Sequence, residues 1–376
     1  MLSNLKFFGA IFLFALGLIY QACSSSEKSD SSPAKEFYLF YTNDISGELD
    51  LCGCPKRPMG GIARRAKYIQ RYFELKKPVL QVDAGNSFFS QRYLVSKPDD
   101  FARRSAEILA KACAKLKVDA INLGISDLAG GIDFLKHLKK LAKEKGELNL
   151  ISSNLYYKVN NQPVFPRFQL VNKAGIKIGI FGLVKKSTLL PGEVKAGEPL
   201  LTAREMTRIL REKNQADLVI GLFNLGLEQS KKICREIAGI DIVVVSGSPR
   251  YLWEPVLVGN CLLLQAGAGG KYLGEMLIKP EVSKKKPSLK ELKSLDAQLS
   301  RLDAQIKILK GPVLNDPEVK KKYLELKAER DKVSQELKEL SLSFDYQNQL
   351  IPLDATLPVD VEIKSWIVQL LSEKKK

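Results

Sequence analysis

From Glu36 to about Pro280, short apolar runs alternate with amphipathic stretches, and this alternation limits the possible folds more than any other feature of the chain. The runs Phe37–Tyr41, Val79–Val82, Ala120–Leu123 and Leu148–Ser152 are too short for buried helices and read as strands. Lys177–Phe181, Leu218–Leu222, Ile240–Val245 and Leu262–Gln265 read the same way. Between them, Ile62–Leu75, Asp100–Leu116, Ile132–Lys145 and Thr202–Asn214 carry helical periodicity; in the third, Ile132, Leu135 and Leu138 share one face. Strands alternating with helices predict an α/β domain over residues 36–282. With 376 residues, 45% of them hydrophobic, the chain can bury one large core and still carry an appendage.

The appendage begins near Ser283. Leu289, Leu292, Leu295, Leu299, Leu302, Ile306 and Leu309 recur at spacings of three and four, and the pattern resumes at Val319, Tyr323, Leu326, Val333, Leu337 and Leu340. Gly311-Pro312 and Asp316-Pro317 punctuate a turn between the two stretches, and Pro317 suits the first position of a helix. Residues 283–342 are therefore expected to form an antiparallel α-helical coiled-coil hairpin whose seams bury one another. The functional alternative is an arm that docks a protein partner. In the tail, 343–376, Phe344 to Leu353 reads as a strand returning to the main domain, and Asp360–Leu371 as a short amphipathic helix.

Residues 1–22 read as a targeting segment, with Lys6 ahead of an apolar run from Phe7 to Tyr20 that is short for a membrane span. Tyr20-Gln21-Ala22-Cys23 resembles a bacterial lipoprotein processing site, and the Ser-rich stretch 23–35 reads as a flexible tether. The expectation is a lipid on Cys23 that anchors the protein to a membrane of the bacterial cell envelope, facing the periplasm or the exterior. Of the remaining cysteines, Cys113, Cys234 and Cys261 sit in apolar patterns and are expected in the core. The net charge is +17, with a dense run at Lys56, Arg57, Arg64, Arg65, Lys67, Arg71, Lys76 and Lys77. It reads as a solvated helix face; with no aromatic-interleaved basic stripe, no nucleic-acid partner is expected.

Six segments, in order, carry a family resemblance. They are Thr42-Asn43-Asp44-Ile45-Ser46-Gly47, Gly60-Gly61-Ile62, Asp83-Ala84-Gly85-Asn86, Gly124-Ile125-Ser126-Asp127, Asn224-Leu225-Gly226 and Ser246-Gly247-Ser248-Pro249-Arg250. Together they resemble the calcineurin-like domain of the UshA-like/5′-nucleotidase metallophosphatases. That resemblance implies a four-layer β-sandwich flanked by helices, with a two-metal site at the strand ends. It also implies where the ligands would fall. Asp44 is retained, whereas Ser46, Ile125, Asn224, Ser248 and Arg250 stand where the family has other ligands, Asn86 replaces the bridging aspartate, and Ser126 replaces the catalytic histidine. The chain has a single histidine, His137, which lies among lysines on a helix and reads as a surface residue. One carboxylate among weak neutral oxygens is a poor site for two divalent ions.

Hydrolysis by the family mechanism is therefore not expected, and no cofactor is; a divalent metal enters only under the alternative of a residual nucleotide or sugar-nucleotide phosphohydrolase. A pocket is expected at the old metal site, with Asp44, Ser46, Asn86, Ser126, Asn154, Asn224, Ser248 and Arg250 as candidate ligand-binding residues. One element stands apart. Cys52-Gly53-Cys54 follows the first motif, as in a branch of the same family, and two thiols one glycine apart can close only a strained, easily reduced disulfide. The pair could serve thiol redox chemistry, hold a soft metal, or belong to a plain structural loop; Lys56 and Arg57 are expected to favour its thiolates. The main expectation is an envelope lipoprotein that binds or scaffolds.

Overall fold

A computed structural model describes residues 36–54, 57–280, 289–309 and 316–374, all within one compact unit, Lys35–Lys376. The targeting segment, Cys23 and the tether lie outside the described residues, as does Lys56. The first half runs β1 (Phe37–Thr42), α1 (Ile62–Glu74), β2 (Val79–Asp83), α2 (Asp100–Lys115), β3 (Ala120–Asn122), α3 (Ile132–Ala142), β4 (Leu150–Ile151) and β5 (Leu155–Tyr157). The second half runs β6 (Phe168–Lys173), β7 (Ile176–Val184), β8 (Val194–Ala196), α4 (Pro199–Arg208), β9 (Leu218–Asn224), α5 (Leu227–Glu236), β10 (Ile242–Ser246), β11 (Val256–Val258) and β12 (Cys261–Leu264). Then follow β13 (Tyr272–Pro280), α6 (Leu289–Ile308), α7 (Pro317–Ser341), β14 (Phe344–Pro352) and α8 (Val361–Glu373).

Two six-stranded sheets result, in the orders β14-β13-β1-β2-β3-β4 and β11-β12-β10-β9-β7-β6. Within them, β1 to β4 are parallel, as are β7, β9, β10 and β12; antiparallel strands complete one edge of the first sheet and both edges of the second. Parallel neighbours need crossovers, and α1, α2 and α3 supply them in the first sheet. The period of two along each strand divides its residues between two cores. From β1, Phe37, Leu39 and Tyr41 point inward, against Ile178, Ile180, Leu218 and Ile220 of the second sheet, while Phe40 points outward. Outside the first sheet, α1, α2, α3 and α8 supply Ile69, Leu109, Leu135 and Ile367; outside the second, Ala203, Met206 and Ile233 of α4 and α5 cover Phe181 and Val219. The architecture is helix, sheet, sheet, helix.

The expected strands and helices recur with ends shifted by a few residues. The expected helix Thr202–Asn214 starts earlier, at Pro199, and its last part, Ile209–Lys213, is a π-helical turn. Sequence periodicity missed β6, β11, β13, the β5–β8 pair and α5. Strand β13 was hidden because Gly274 and Glu275 interrupt its apolar pattern. Both have a structural reason. A Cβ on Gly274 would lie 2.1 Å from the Tyr41 ring, and buried Glu275 accepts from Tyr68 (2.7 Å), Tyr72 (2.9 Å) and Gln349 (2.9 Å).

The β13–β14 ladder runs from Tyr272↔Pro352 to Pro280↔Phe344, so α6 and α7 leave from and return to one end of a strand pair. They pack on each other through Leu295, Leu299, Leu302, Ile306, Leu309, Tyr323, Leu326 and Val333. Among the described residues, no helix is long and apolar enough to cross a membrane.

Candidate functional site

The parallel strands of each sheet end on one edge of the sandwich, where their C-terminal loops converge. There the loops after β1, β2, β3, β9 and β10 bring the family-like segments together. Three of the residues are held at positive φ: Asp44 (51°), Ser46 (62°) and Asn86 (58°). Left-handed backbone costs about 1 kcal/mol at a non-glycine residue, so tertiary bonds must hold it. Backbone bonds do so: Asp44 N–H donates to Gly85 O (2.9 Å), Ser46 N–H to Asn86 O (2.8 Å) and Gly269 N–H to Asp44 O (2.8 Å).

The centre is a closed hydrogen-bond network. Ser126 donates to Asn86 Oδ1 through its backbone N–H (3.1 Å) and its hydroxyl (2.8 Å). An N–H can only donate, so these bonds fix the orientation of the Asn86 amide. Its Nδ2 therefore faces Asp44 and donates to Oδ1 at 2.8 Å. Asp44 also accepts from Asn43 Nδ2 (3.0 Å) and from the Gly247 N–H, which reaches both carboxylate oxygens at 3.0 Å. Burial pushes the Asp44 carboxyl above its usual range, while the bonds from Asn86, Asn43 and Gly247 pull the other way.

Asn224 is fixed by the same logic. Its Oδ1 accepts from Ile125 N–H (3.0 Å), and its Nδ2 donates to Ser246 Oγ (2.8 Å), which donates on to Ala84 O (2.7 Å). Two further carboxylates, not singled out from the sequence, hold the loops. Asp83 accepts from Thr42 Oγ1, Ser87 Oγ and Gly85 N–H; Asp127 accepts from the N–H groups of Asn86, Phe88 and Gly124, each at 2.8 Å. Burial pushes Asp127 up to about 7 despite those donors. Their place at the strand ends was the available signal.

Most of the side chains expected to line a pocket are buried. Asp44 is 4% exposed, Asn86 and Asn224 1%, and Ser126 and Asn154 0%. Each spends its polar atoms on a neighbour, so the space that a ligand would take is filled. Asn154 lies outside the network; it accepts from Val184 N–H (2.9 Å) and donates to Val184 O (2.8 Å) and Gly197 O (3.0 Å). The Ser46 hydroxyl turns to its own loop, donating to Asp44 O at 3.2 Å. Ser248 accepts from Gln265 Nε2 (2.9 Å), and Arg250 is exposed. Arg250 therefore does not complete the cluster.

A divalent metal pair does not fit this donor set. The one family carboxylate, Asp44, has both oxygens turned to N–H donors, and the Asn86 group facing it is an NH₂, which repels a cation. Among the described residues, no three His, Cys, Asp or Glu side chains group as metal ligands. His137 sits far off in sequence on α3, half exposed, with Nε2 3.0 Å from Glu107.

No family model matches the chain. The chain is 25% identical to human 5′-nucleotidase over 279 residues, which cover 65% of this chain and 46% of that protein. It thus spans about half the length of the curated relatives it matches. The chain is similar to 5′-nucleotidases in sequence and to calcineurin-like phosphoesterases in fold, as expected for a UshA-like chain. A 5′-nucleotidase precursor from Thermus thermophilus matches this UshA-like chain in fold, with a TM-score of 0.63 at 18% identity over 90% of this chain and 59% of that one. The calcineurin-like phosphoesterase YfkN of Bacillus subtilis gives 0.58 at 16% identity, covering 91% of this chain and 98% of that one.

Cys52-Gly53-Cys54 lies on the loop between β1 and α1. Cys52 N–H donates to Met59 O (2.8 Å), and Met59 N–H donates to Cys52 Sγ (3.4 Å). Cys54 is exposed, Cys52 is partly so, and Cys113, Cys234 and Cys261 are buried. The Met59 N–H, the Cys54 thiol and the Lys271 charge pull the Cys52 thiol below its usual value, while the bond to Cys52 pushes Cys54 up. The charge set against Cys52 comes from a residue that sequence reasoning did not name. Arg57 faces Asp354 at 3.9 Å, Lys56 lies outside the described residues, and the cation acting on Cys52 is Lys271.

Proposed function

We propose that this UshA-like chain is a lipid-anchored protein of the bacterial cell envelope that has exchanged metal-dependent hydrolysis for binding or scaffolding. One observation carries the reading: Asn86 turns an amide NH₂, fixed by Ser126, onto the sole family carboxylate, Asp44. General acid and metal activation, the two requirements of phosphate-ester hydrolysis in such a site, have no side chains to supply them there. Membrane attachment would come from a lipid on Cys23, with 23–35 as tether. Residues 283–342, read as a coiled-coil arm, would present the outer faces of α6 and α7 to a protein partner. Support for the arm comes from the Leu302–Ile306–Leu326–Val333 seam, through which the two helices bury one another.

The deciding experiment measures bound metal in the purified chain, together with hydrolysis of a generic phosphate ester across Mg²⁺, Mn²⁺, Zn²⁺ and Co²⁺. The expected result is substoichiometric metal and no turnover above buffer. Stoichiometric metal with turnover overturns the proposal. Intact-mass analysis tests the anchor: an acylated chain starting at Cys23 supports it, and an unacylated mature chain refutes it.

A further inference from the structure

Three groups of side chains are left unexplained by the network: a lysine-lined groove, a buried arginine, and the thiol pair on the loop between β1 and α1. The groove holds Lys158, Lys186 and Lys195, but Lys158 donates to Gly192 O (2.7 Å), Lys186 pairs with Glu198 (2.9 Å), and the groove's polar groups lie on its exposed wall. Arg65 is 3% exposed, and its Nε and Nη1 meet no partner among the described residues. The cavity it lines, about 10 Å³, admits one water and nothing larger.

The thiols carry more. They stand one residue apart, Cys54 is exposed, and Cys52 Sγ is only partly covered while it accepts from Met59 N–H (3.4 Å). The loop is clamped from one side only, by the paired Cys52–Met59 bonds and by the Met59↔Asp354 bridge. Over Gly53, a Cβ would meet nothing within 4 Å, so the space above the pair is open. Lys271 sets a positive charge against Cys52. A purely structural cysteine is usually buried and inert, as Cys113, Cys234 and Cys261 are here.

We propose that Cys52 and Cys54 form a thiol–disulfide exchange site acting on organic disulfides, with Cys52 as the attacking thiol and Cys54 as the resolving thiol. The inference goes beyond the scaffolding role and does not depend on it. In the first step, Cys52 loses its proton to solvent, and its Sγ bonds to one sulfur of a disulfide R–S–S–R. The S–S bond breaks, and the leaving thiolate takes the proton of Cys54. The Cys54 thiolate then attacks Cys52 Sγ, a Cys52–Cys54 disulfide forms, and the second R–S⁻ leaves and takes a proton from solvent. Two electrons pass from the dithiol to the substrate, which is reduced to two thiols. Because the product ring spans a single glycine, it is strained and gives its disulfide back readily. The resting form is the dithiol, and the oxidised form is a disulfide donor.

The test exposes the full chain to oxidised glutathione and, separately, to a disulfide-bonded peptide, with products read by mass spectrometry. The expected results are a Cys52–Cys54 disulfide in the parent chain and a stable mixed disulfide on Cys52 in Cys54→Ser. In Cys52→Ser, modification of Cys54 should be about tenfold slower. Reaction with either substrate supports the site and says which source of disulfide it accepts. Lys271→Gln should raise the pH midpoint of Cys52 alkylation while leaving the melting temperature unchanged, which a merely structural role does not require. Failure of Cys54→Ser to trap any mixed disulfide overturns the proposal. So does alkylation of Cys52 and Cys54 at equal rates with the pH dependence of free cysteine. Neither result bears on the metal and phosphate-ester measurements, so the two proposals fail separately.

Discussion

The backbone N–H of Ser126 donates to Asn86 Oδ1 at 3.1 Å, and this bond decides which face Asn86 shows to Asp44. With the carbonyl held by Ser126, the amide NH₂ points at the carboxylate. A carboxylate and an NH₂ satisfy each other where two anionic ligands would need a cation.

Asn86→Asp should therefore destabilise the chain rather than restore a metal site. It sets a second buried carboxylate beside Asp44, and one of the two must hold a proton. Their folded-state pKa values rise above the unfolded ones, so the loss grows as pH rises. Urea unfolding should show a cost of about 3 kcal/mol at pH 8 and a smaller one at pH 5. An equal loss at both values counts against the direct Asn86–Asp44 bond.

Asp127 gives the parent chain its own pH dependence. Its folded value, about 7, lies above the ordinary aspartate value of 3.8, chiefly through burial. Between those values the folded state holds the proton and the unfolded state does not. Stability should fall as pH rises from 4 to 7, by at most about 1.4 kcal/mol per pH unit from this group, and level off above. Asp127→Asn keeps one accepting oxygen but sets an NH₂ donor against the N–H served by the other, and is less stable throughout. Its stability curve should lack that slope.

Gly124 has no room for a side chain. A Cβ there would lie 2.3 Å from Asn86 Oδ1 and 2.4 Å from its backbone nitrogen. Gly124→Ala should cost about 3 kcal/mol in denaturant unfolding by pushing the β2 and β3 loops apart. Gly53→Ala, which meets nothing within 4 Å, serves as the neutral control.

The helical arm should be removable. Pro280 faces Phe344 in the β13–β14 register, so a tight turn can replace residues 282–341, keeping Leu342, which is buried between the sheets. Circular dichroism should show a folded domain with a melting temperature within about 5 °C of the parent. Collapse of the fold would mean that the arm supports the sandwich.

Thiol counting separates the cysteines by burial. With Cys23 blocked, two thiols should react with a disulfide reagent in the native chain, and Cys113, Cys234 and Cys261 only after unfolding. Burial pushes Cys113 up to about 11, so raising the pH to 9 should not expose it to reaction.

Much of this was legible in sequence. Apolar runs of four or five residues marked most central strands, and Ile132, Leu135 and Leu138 marked the buried face of α3. Strand β13 was not legible, because its glycine and glutamate answer to Tyr41, Tyr68 and Tyr72, which are far away in the chain. Arg250 misled in the other direction: its place in the motif put it in the site, but its side chain is exposed.

The sequence by itself determined the alternating α/β framework, the loss of histidine ligands and the retention of Asp44, because periodicity and residue type are local properties. Only the tertiary structure decided what replaced the metals. Whether Asn86 offers an oxygen or an NH₂ depends on which group holds its other end, and that group, Ser126, is 40 residues away. Likewise, it is the tertiary structure that sets Lys271 against Cys52, since charge acts through distance in space and not along the chain.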